Sequence, residues 1–217
     1  MGSSVAVATG LYGISFGALA VAAGLSIPQA MALSALMFTG GSQFAFVGVI
    51  AGGGAASTAT VAASLLGVRN AVYGVWANSQ VRPQGWRKAV AAHVTIDESV
   101  AVGAAQSDPR ERTLGFWTGG LGVFCLWNLF TLVGAFLGTT LGDTSAWGLD
   151  GAAVAAFLGL LWPRLTGREP VAIAVAGALL TAVMVPIVPA GMPILIAAAA
   201  AATWGGFAPV RVGSRVA

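Results

Sequence analysis

The amino-acid sequence predicts an all-α fold, a polytopic bundle of transmembrane helices. Only 8% of its 217 residues are charged and 57% are hydrophobic, whereas about a quarter of the residues in a soluble domain are charged. The mean hydropathy of +0.87 comes from uncharged segments distributed along the whole chain, so no stretch remains for a soluble domain of ordinary size. We therefore expect residues 1–217 to form a single integral membrane domain.

Uncharged segments of about 20 residues are long enough to cross roughly 30 Å of hydrocarbon. Seven segments are predicted to cross: residues 5–24, 28–51, 55–81, 113–141, 149–162, 171–188 and 193–207. The first three are separated only by a short break at residues 26–28 and by three glycines at 52–54, which predicts that they are antiparallel neighbours. The segments 149–162 and 193–207 are short, and each is expected to tilt or to end part-way across.

Residues 89–106 have the length and composition of a helix, but this segment contains three titratable side chains. If it crosses, the basic loops on its two sides face opposite solvents, against the tendency of basic loops to stay in the cytoplasm. If it is re-entrant or interfacial, the N-terminus is outside, the C-terminus is inside and seven crossings result, with eight crossings as the alternative. The re-entrant or interfacial arrangement places nine of the ten basic residues on the cytoplasmic side: Arg82, Arg87, Lys88, Arg110, Arg112, Arg164, Arg168, Arg211 and Arg215.

The tenth basic residue, Arg69, lies near the middle of the third predicted span. An ionised side chain at that depth costs several kcal/mol unless it is paired or hydrated, which makes it a candidate functional residue. Helical spacing places Tyr73, Trp76 and Gln80 on the same face, with Asn70 on an adjacent strip. This polar face is expected to point into the bundle, and a purely structural salt bridge is the alternative explanation.

Asp97 and Glu98 are the acidic residues that could balance Arg69, and His93 precedes Asp97 by four residues. In a continuous helix that spacing brings the imidazole and the carboxylate onto one face. The three side chains are candidates for proton coupling, because a histidine beside a carboxylate titrates near neutral pH, and the two acids are candidates for binding an ammonium group. If the segment lies at the membrane surface, these side chains are instead simply solvated.

Two adjacent glycines interrupt the second predicted span at Gly40 and Gly41, followed by Ser42 and Gln43. A helix broken there would present free backbone N–H groups at its new N-terminus, and such helix ends bind carboxylates in transporters. Close packing of helices through small residues is the alternative. Trp127 and Asn128, within another apolar segment, are also candidates for lining a cavity.

Several classes of site are disfavoured by the same residues. The single histidine, the single cysteine, Cys125, and the absence of an HExxH pattern predict no metal site, no cofactor and no enzyme activity. Because the basic residues are distributed between apolar segments and are not interleaved with aromatic residues in one patch, nucleic acid is not an expected partner. The lipid bilayer is an expected partner, because the chain is predicted to lie within it.

The order of the motifs resembles that of the AzlC family. The resemblance rests on five elements: residues 13–17 (GISFG), 24–26 (GLS), 40–44 (GGSQF), 68–74 (VRNAVYG) and 95–98 (TIDE). It extends over essentially the whole chain, although Asn70 occupies a position where the family often has histidine. The resemblance implies export of branched-chain or other hydrophobic amino acids through a bacterial plasma membrane, together with a small AzlD-type membrane subunit.

The resemblance leads to a hypothesis for substrate binding. The carboxylate of an amino acid would lie at the helix end formed by residues 41–43 and at Arg69, and its ammonium group would lie at Asp97 or Glu98. Its side chain would pack among Phe44, Phe46 and Trp76, and Gly40, Asn70 and Tyr73 complete the predicted binding residues. Ion-coupled alternating access is the expected mechanism. A passive channel and a non-transporting subunit of a membrane complex remain the alternatives.

Overall fold

We describe the fold from a computed structural model, which describes residues 2–141, 158, 161–162, 165–189 and 191–207. Within these ranges the chain is helical and contains no strand, as predicted. The helices are α1 (Gly2–Ala22), α2 (Ile27–Leu36), α3 (Gly41–Ala51), α4 (Ala56–Gln80), α5 (Trp86–His93), α6 (Asp97–Ala104), α7 (Pro109–Leu141), α8 (Arg168–Met184) and α9 (Met192–Phe207). Most of the predicted span 149–162, together with Arg164, Arg211 and Arg215, lies outside the described residues.

Two of the described helices, α1 and α7, are long and apolar enough to cross a membrane. A third helix, α4, has 25 residues and is therefore about 37 Å long at 1.5 Å per residue. Its polar side chains, including Arg69, lower its hydropathy. These three helices set the length of the bundle.

Helices α1 and α7 run parallel in close contact. Gly2 lies against Thr118, Gly10 against Leu126, and Gly17 against Thr131, so both helices advance in the same direction. A Cβ atom on Gly17 would overlap the carbonyl oxygen of Thr131, which explains why glycine is needed there. Small residues allow this approach of two backbones.

Helix α4 runs antiparallel to α7. Arg112, at the start of α7, donates a 2.6 Å hydrogen bond through Nη1 to Oε1 of Gln80 at the end of α4. This end of the bundle also contains the start of α1. We call it the basic end because its loops and the first turns of α5 and α7 contain the basic residues Arg82, Arg87, Lys88, Arg110 and Arg112.

Helices α2 and α3 form a hairpin that enters from the opposite end. Helix α2 follows α1 there, and Ser34 near its C-terminus hydrogen-bonds Thr131 of α7 at 3.2 Å. Helix α3 then returns antiparallel to α4, since Ser42 lies against Gly67 and Val49 packs with Ala59 nearer the start of α4. The break at Gly40 and Gly41 is therefore confirmed, but the predicted crossing of residues 28–51 is wrong, because the chain reverses direction at the break.

Helices α5 and α6 form a second hairpin, which enters from the basic end. Helix α6 runs antiparallel to α7, with Gly119 against Ser99 and Gly115 against Val102. Helix α5 begins six positions after Gln80, and α6 ends five positions before Pro109, so both ends of the hairpin lie at the basic end. Residues 89–106 thus form parts of two short helices that turn back, as the re-entrant prediction requires, and not one continuous crossing helix. The predicted placement of the N-terminus opposite the basic loops is wrong, because the first hairpin does not cross and the following helices reverse their directions.

Helices α8 and α9 pack mainly on each other, and α9 also contacts α4. Gly191, just before α9, lies against Val49 and Thr58, which places it at the end opposite the basic end. The remaining features of the fold concern the place where the two hairpins meet.

Candidate functional site

The tips of the two hairpins meet at the guanidinium of Arg69. Its Nη1 donates to Oδ2 of Asp97 at 2.9 Å, at the tip of the second hairpin. Its Nη2 donates to the backbone carbonyl of Thr39 at 3.1 Å, at the tip of the first. The Arg69 and Asp97 side chains are 24% and 19% exposed, so the pair is neither sealed in the core nor free at the surface. One side chain of α4 thus connects both hairpins.

The first tip is locally electropositive. Gly40 adopts a φ of 60° and a ψ of −83°, a sparsely populated conformation that costs other L-residues about 1–3 kcal/mol, and this reversal allows α3 to begin at Gly41. Helix α3 has no side-chain cap and no acidic residue in its first turn, so the partial positive charge of its N-terminus is not neutralised. A Cβ atom on Gly41 would lie 3.2 Å from Nη2 of Arg69, which shows how closely the guanidinium approaches this backbone.

The second tip is locally electronegative. Helix α6 starts with Asp97 and Glu98, where carboxylates are stabilised by the helix N-terminus. Ser99 fixes the turn, since its Oγ accepts from the Ile96 N–H at 2.9 Å and donates to the Ile96 carbonyl at 2.9 Å. The Glu98 carboxyl also interacts with the hydroxyl of Thr9 on α1. Opposite charges therefore face each other across a short distance.

A cavity of about 280 Å³ lies between the two tips, close to the lower end of the range of about 300–1,000 Å³ for ligand pockets. Its apolar wall includes Trp127, whose ring stacks on Phe16 at 6.0 Å and meets Phe44 edge-on at 6.1 Å. The lining residues are Thr9, Tyr12, Phe38, Thr39, Gly40, Gly41, Phe44, Arg69, Ile96, Asp97, Glu98, Val123 and Trp127.

Three buried polar atoms of the lining residues have no hydrogen-bond partner in the described part of the chain. They are Thr39 Oγ1, Arg69 Nε and Trp127 Nε1. Buried polar atoms are normally hydrogen-bonded, so these atoms are available to a bound ligand or water. No three His, Cys, Asp or Glu side chains of the described residues are grouped as metal ligands.

Half of the residues predicted to bind substrate line this cavity: Gly40, Gly41, Arg69, Asp97 and Glu98. The other predicted binding residues do not line it: Ser42, Gln43, Asn70, Tyr73 and Trp76.

Two of these residues have other contacts in the structure. Gln43 is fully buried and donates through Nε2 to the carbonyls of Leu33 and Ser34 at 2.9 and 3.2 Å, which ties the two arms of the first hairpin together. The ring of Trp76 lies beside Gly103 of α6. Gln43 and Trp76 therefore stabilise the two hairpins and do not face the cavity.

The predicted pocket for the apolar side chain is only partly correct. Phe44 lines the cavity, whereas Phe46 packs with Val49 and Ala59 on the other side of α3. Trp76 also does not line the cavity, because it lies closer to the basic end. The cavity instead takes its apolar wall from Phe38 and Trp127.

The expected pairing of His93 with Asp97 on one helical face is wrong. Helix α5 ends at His93 and α6 begins at Asp97, so the spacing of four residues spans the break and not one helical turn. The His93 ring is exposed and lies 6.2 Å from Phe38 and 5.4 Å from Phe124 between ring centroids. It does not line the cavity.

The sequence patterns did not predict that α1 and the loop between α2 and α3 contribute residues to the cavity. Thr9 and Tyr12 lie on an ordinary apolar helix, and no local feature distinguishes them from neighbours that face outward. Thr39 precedes the two glycines that were singled out, and its carbonyl, not its side chain, binds Arg69. Trp127 was a candidate lining residue and does line the cavity, whereas Asn128 does not.

A family model described as AzlC protein matches residues 4–141. The matched region contains α1 to α7, and therefore all three long helices, both hairpins and the cavity. No curated protein and no solved structure gives a match.

Proposed function

The chain belongs to the AzlC family, a family associated with branched-chain amino acid transport, and on this basis we propose that it exports branched-chain or other hydrophobic amino acids. It acts in a bacterial plasma membrane as a multi-pass protein and works with a small AzlD-type subunit. The observation on which the proposal rests is the meeting of two oppositely charged hairpin tips at Arg69, beside a cavity with an apolar wall.

The outer surface of the bundle supports insertion in a membrane. Large apolar side chains are exposed on every long helix, among them Leu11 on α1, Val72 on α4 and Phe136 on α7, at 47%, 67% and 55%. A soluble monomer rarely exposes a continuous apolar surface of this kind, whereas hydrocarbon solvates it well. The basic end is the cytoplasmic end by the positive-inside tendency.

The charges of the cavity match those of a free amino acid. The substrate carboxylate binds at the N-terminus of α3 and at Arg69, where positive charge is concentrated. Its ammonium group binds at Asp97 or Glu98, and its side chain packs on Phe44 and Trp127. Burial of a leucine-sized side chain contributes about 2 kcal/mol, so the preference extends over apolar amino acids of similar size.

Alternating access follows from the two hairpins. The first hairpin separates the cavity from the end opposite the basic end, and the second separates it from the basic end. Because Arg69 binds both tips, a ligand that competes for its hydrogen bonds changes the attachment of each tip. Movement of one hairpin at a time would expose the cavity to one side only, and an ion gradient supplies the driving force.

The test is transport of labelled leucine in proteoliposomes, with and without the small subunit and with and without a pH gradient. Vesicles preloaded with unlabelled leucine should accelerate uptake of labelled leucine, because a carrier exchanges its cargo. A passive channel would show no such acceleration, and absence of leucine movement under all four conditions would overturn the proposal. Arg110→Ala, which changes an exposed arginine at the basic end, is the matched control for Arg69→Ala.

A further inference from the structure

We propose that a proton and the ammonium group of the cargo compete for the carboxylate of Glu98, so that one proton enters for each amino acid exported. The inference rests on the proposed transport function and names its coupling ion and the residue responsible. It separates the roles of the two adjacent acids, which the sequence leaves equivalent.

Asp97 and Glu98 have different partners in the cavity. Asp97 is paired with Arg69, and this is the only ion pair among the described residues with atoms within 4 Å. Glu98 lines the same cavity and interacts with the neutral hydroxyl of Thr9. With Glu98 ionised, the charged lining residues, one arginine and two acids, sum to a net charge of −1.

A carboxylate in these surroundings needs a compensating positive charge. The cavity wall includes the apolar side chains of Phe38, Ile96 and Val123, which cannot solvate an anion, and an isolated charge inside a membrane is costly. A bound proton neutralises this carboxylate, and a bound ammonium group forms an ion pair with it. Both occupy the same oxygen atoms, so binding of one excludes the other.

The exchange balances in protons, and because the cargo is a zwitterion of no net charge, each cycle moves one positive charge inward. A protonated Glu98 carboxyl releases its proton to solution as the ammonium group of the cargo binds, which leaves a carboxylate–ammonium pair. When the cargo leaves on the outside, a proton from that side takes its place. An empty and unprotonated cavity is unfavourable to reorient, and this is the condition for obligatory exchange.

The other titratable groups near Glu98 do not replace it in this role. Tyr12 of α1 lines the cavity, Arg69 of α4 and Asp97 of α6 are bound to each other, and the lining residues of α3 and α7 are not titratable. His93 of α5 does not line the cavity. Glu98 is therefore the lining acid that is not held by a basic side chain of the described chain.

A second observation indicates that the cavity binds a ligand with an acceptor group. Trp127 is 3% exposed and lines the cavity, and its Nε1 has no hydrogen-bond acceptor among the residues that the structure describes. An indole N–H only donates, so a carboxylate oxygen is a suitable partner. The cavity thus combines a donor for one end of an amino acid with an acid for the other.

The experiment is isothermal titration of the full chain in detergent with leucine, in two buffers that differ in ionisation enthalpy. We expect release of up to about one proton per leucine bound, and a loss of apparent affinity approaching tenfold per pH unit on the acidic side. Glu98→Gln should bind leucine more weakly, with no proton release and no dependence on pH in that range. Glu111→Gln, on the exposed start of α7, is the matched control and should behave like the wild type.

The possible outcomes separate this inference from the proposed function. Leucine binding without proton release in the wild type, or unchanged release in Glu98→Gln, would overturn the exchange and leave transport standing. If leucine does not bind, titration with isopentylamine decides: proton release on its binding supports the role of Glu98 without the amino acid assignment, and no binding overturns both. If Glu98→Gln does not fold, Glu98→Asp replaces it and should shift the pH midpoint, whereas an unchanged midpoint counts against the proposal.

Discussion

Arg69 and Asp97, 28 positions apart in the chain, are joined by a 2.9 Å hydrogen bond between Nη1 and Oδ2. The two residues come from a long helix and from the tip of a re-entrant hairpin, so their pairing fixes the hairpin against the rest of the bundle. Because the same guanidinium also binds the Thr39 carbonyl, the first hairpin depends on it as well.

Arg69→Ala should abolish most leucine transport. Hydrogen bonds to charged groups contribute about 1.5–3 kcal/mol each, so the loss of two such bonds, about 3–6 kcal/mol together, predicts a decrease in initial rate of about a hundredfold or more. Arg69→Lys keeps the charge but not the two-pronged geometry and should be intermediate. The measurement is uptake into proteoliposomes at equal protein content, and wild-type rates in a correctly folded Arg69→Ala protein would contradict the assignment.

Asp97→Asn should destabilise the protein less in the Arg69→Ala background than in the wild type. The two residues interact directly, so their effects are not additive, and the unpaired charge left by either single change is removed in the double variant. The measurement is the midpoint of thermal unfolding in detergent for the four proteins of the cycle. Additive shifts would mean that the ion pair contributes little to stability.

Gly40→Ala should destabilise the first hairpin without any steric clash. A Cβ atom at Gly40 would have no neighbour within 4 Å, but the φ of 60° with a ψ of −83° is unfavourable for alanine by about 1–3 kcal/mol. Gly48→Ala is the matched control, because its Cβ also has open space and no positive φ is recorded for it. We expect a lower unfolding temperature for Gly40→Ala and no decrease for Gly48→Ala. Equal unfolding temperatures would argue against the strained turn.

Gln43→Leu should lower stability more than substrate affinity. The amide of Gln43 donates to two carbonyls of α2. The Leu33 carbonyl would keep the Met37 N–H as a donor, but the Ser34 carbonyl would lose its Gln43 donor, and leaving a buried acceptor unpaired costs about 1–3 kcal/mol. Gln84→Leu, in an exposed loop, controls for the change of side chain. Thermal unfolding and leucine titration together separate the two effects. A large loss of affinity with unchanged stability would indicate that Gln43 binds the substrate.

Cysteine labelling should place both ends of the first hairpin on one side of the membrane. In a Cys125→Ser background, Ser26→Cys and Gly53→Cys should react with an impermeant maleimide added to intact cells. Gln84→Cys and Ser107→Cys, at the basic end, should react only after the membrane is opened. Labelling of residues 26 and 53 from opposite sides would show that residues 28–51 cross and would contradict the re-entrant hairpin.

The amino-acid sequence alone determined the class of the protein and several parts of its site. Composition predicted a helical membrane protein because each uncharged segment is stable in hydrocarbon regardless of its neighbours. The cation at Arg69 and the break at Gly40 were also predictable, because a buried charge and a pair of glycines are conspicuous in a local window of sequence. The resemblance of the motifs identified the family.

The tertiary structure decided the directions of the segments and the composition of the cavity. Hydropathy measures the cost of transferring each residue from water, and this cost is the same for one crossing helix as for two half-length helices that dip and return. The side of the bundle on which the N-terminus lies therefore depended on contacts such as Gly17 with Thr131, more than 100 positions apart. Thr9 and Trp127 joined the site for the same reason, since only packing distinguishes a residue facing the cavity from one facing lipid.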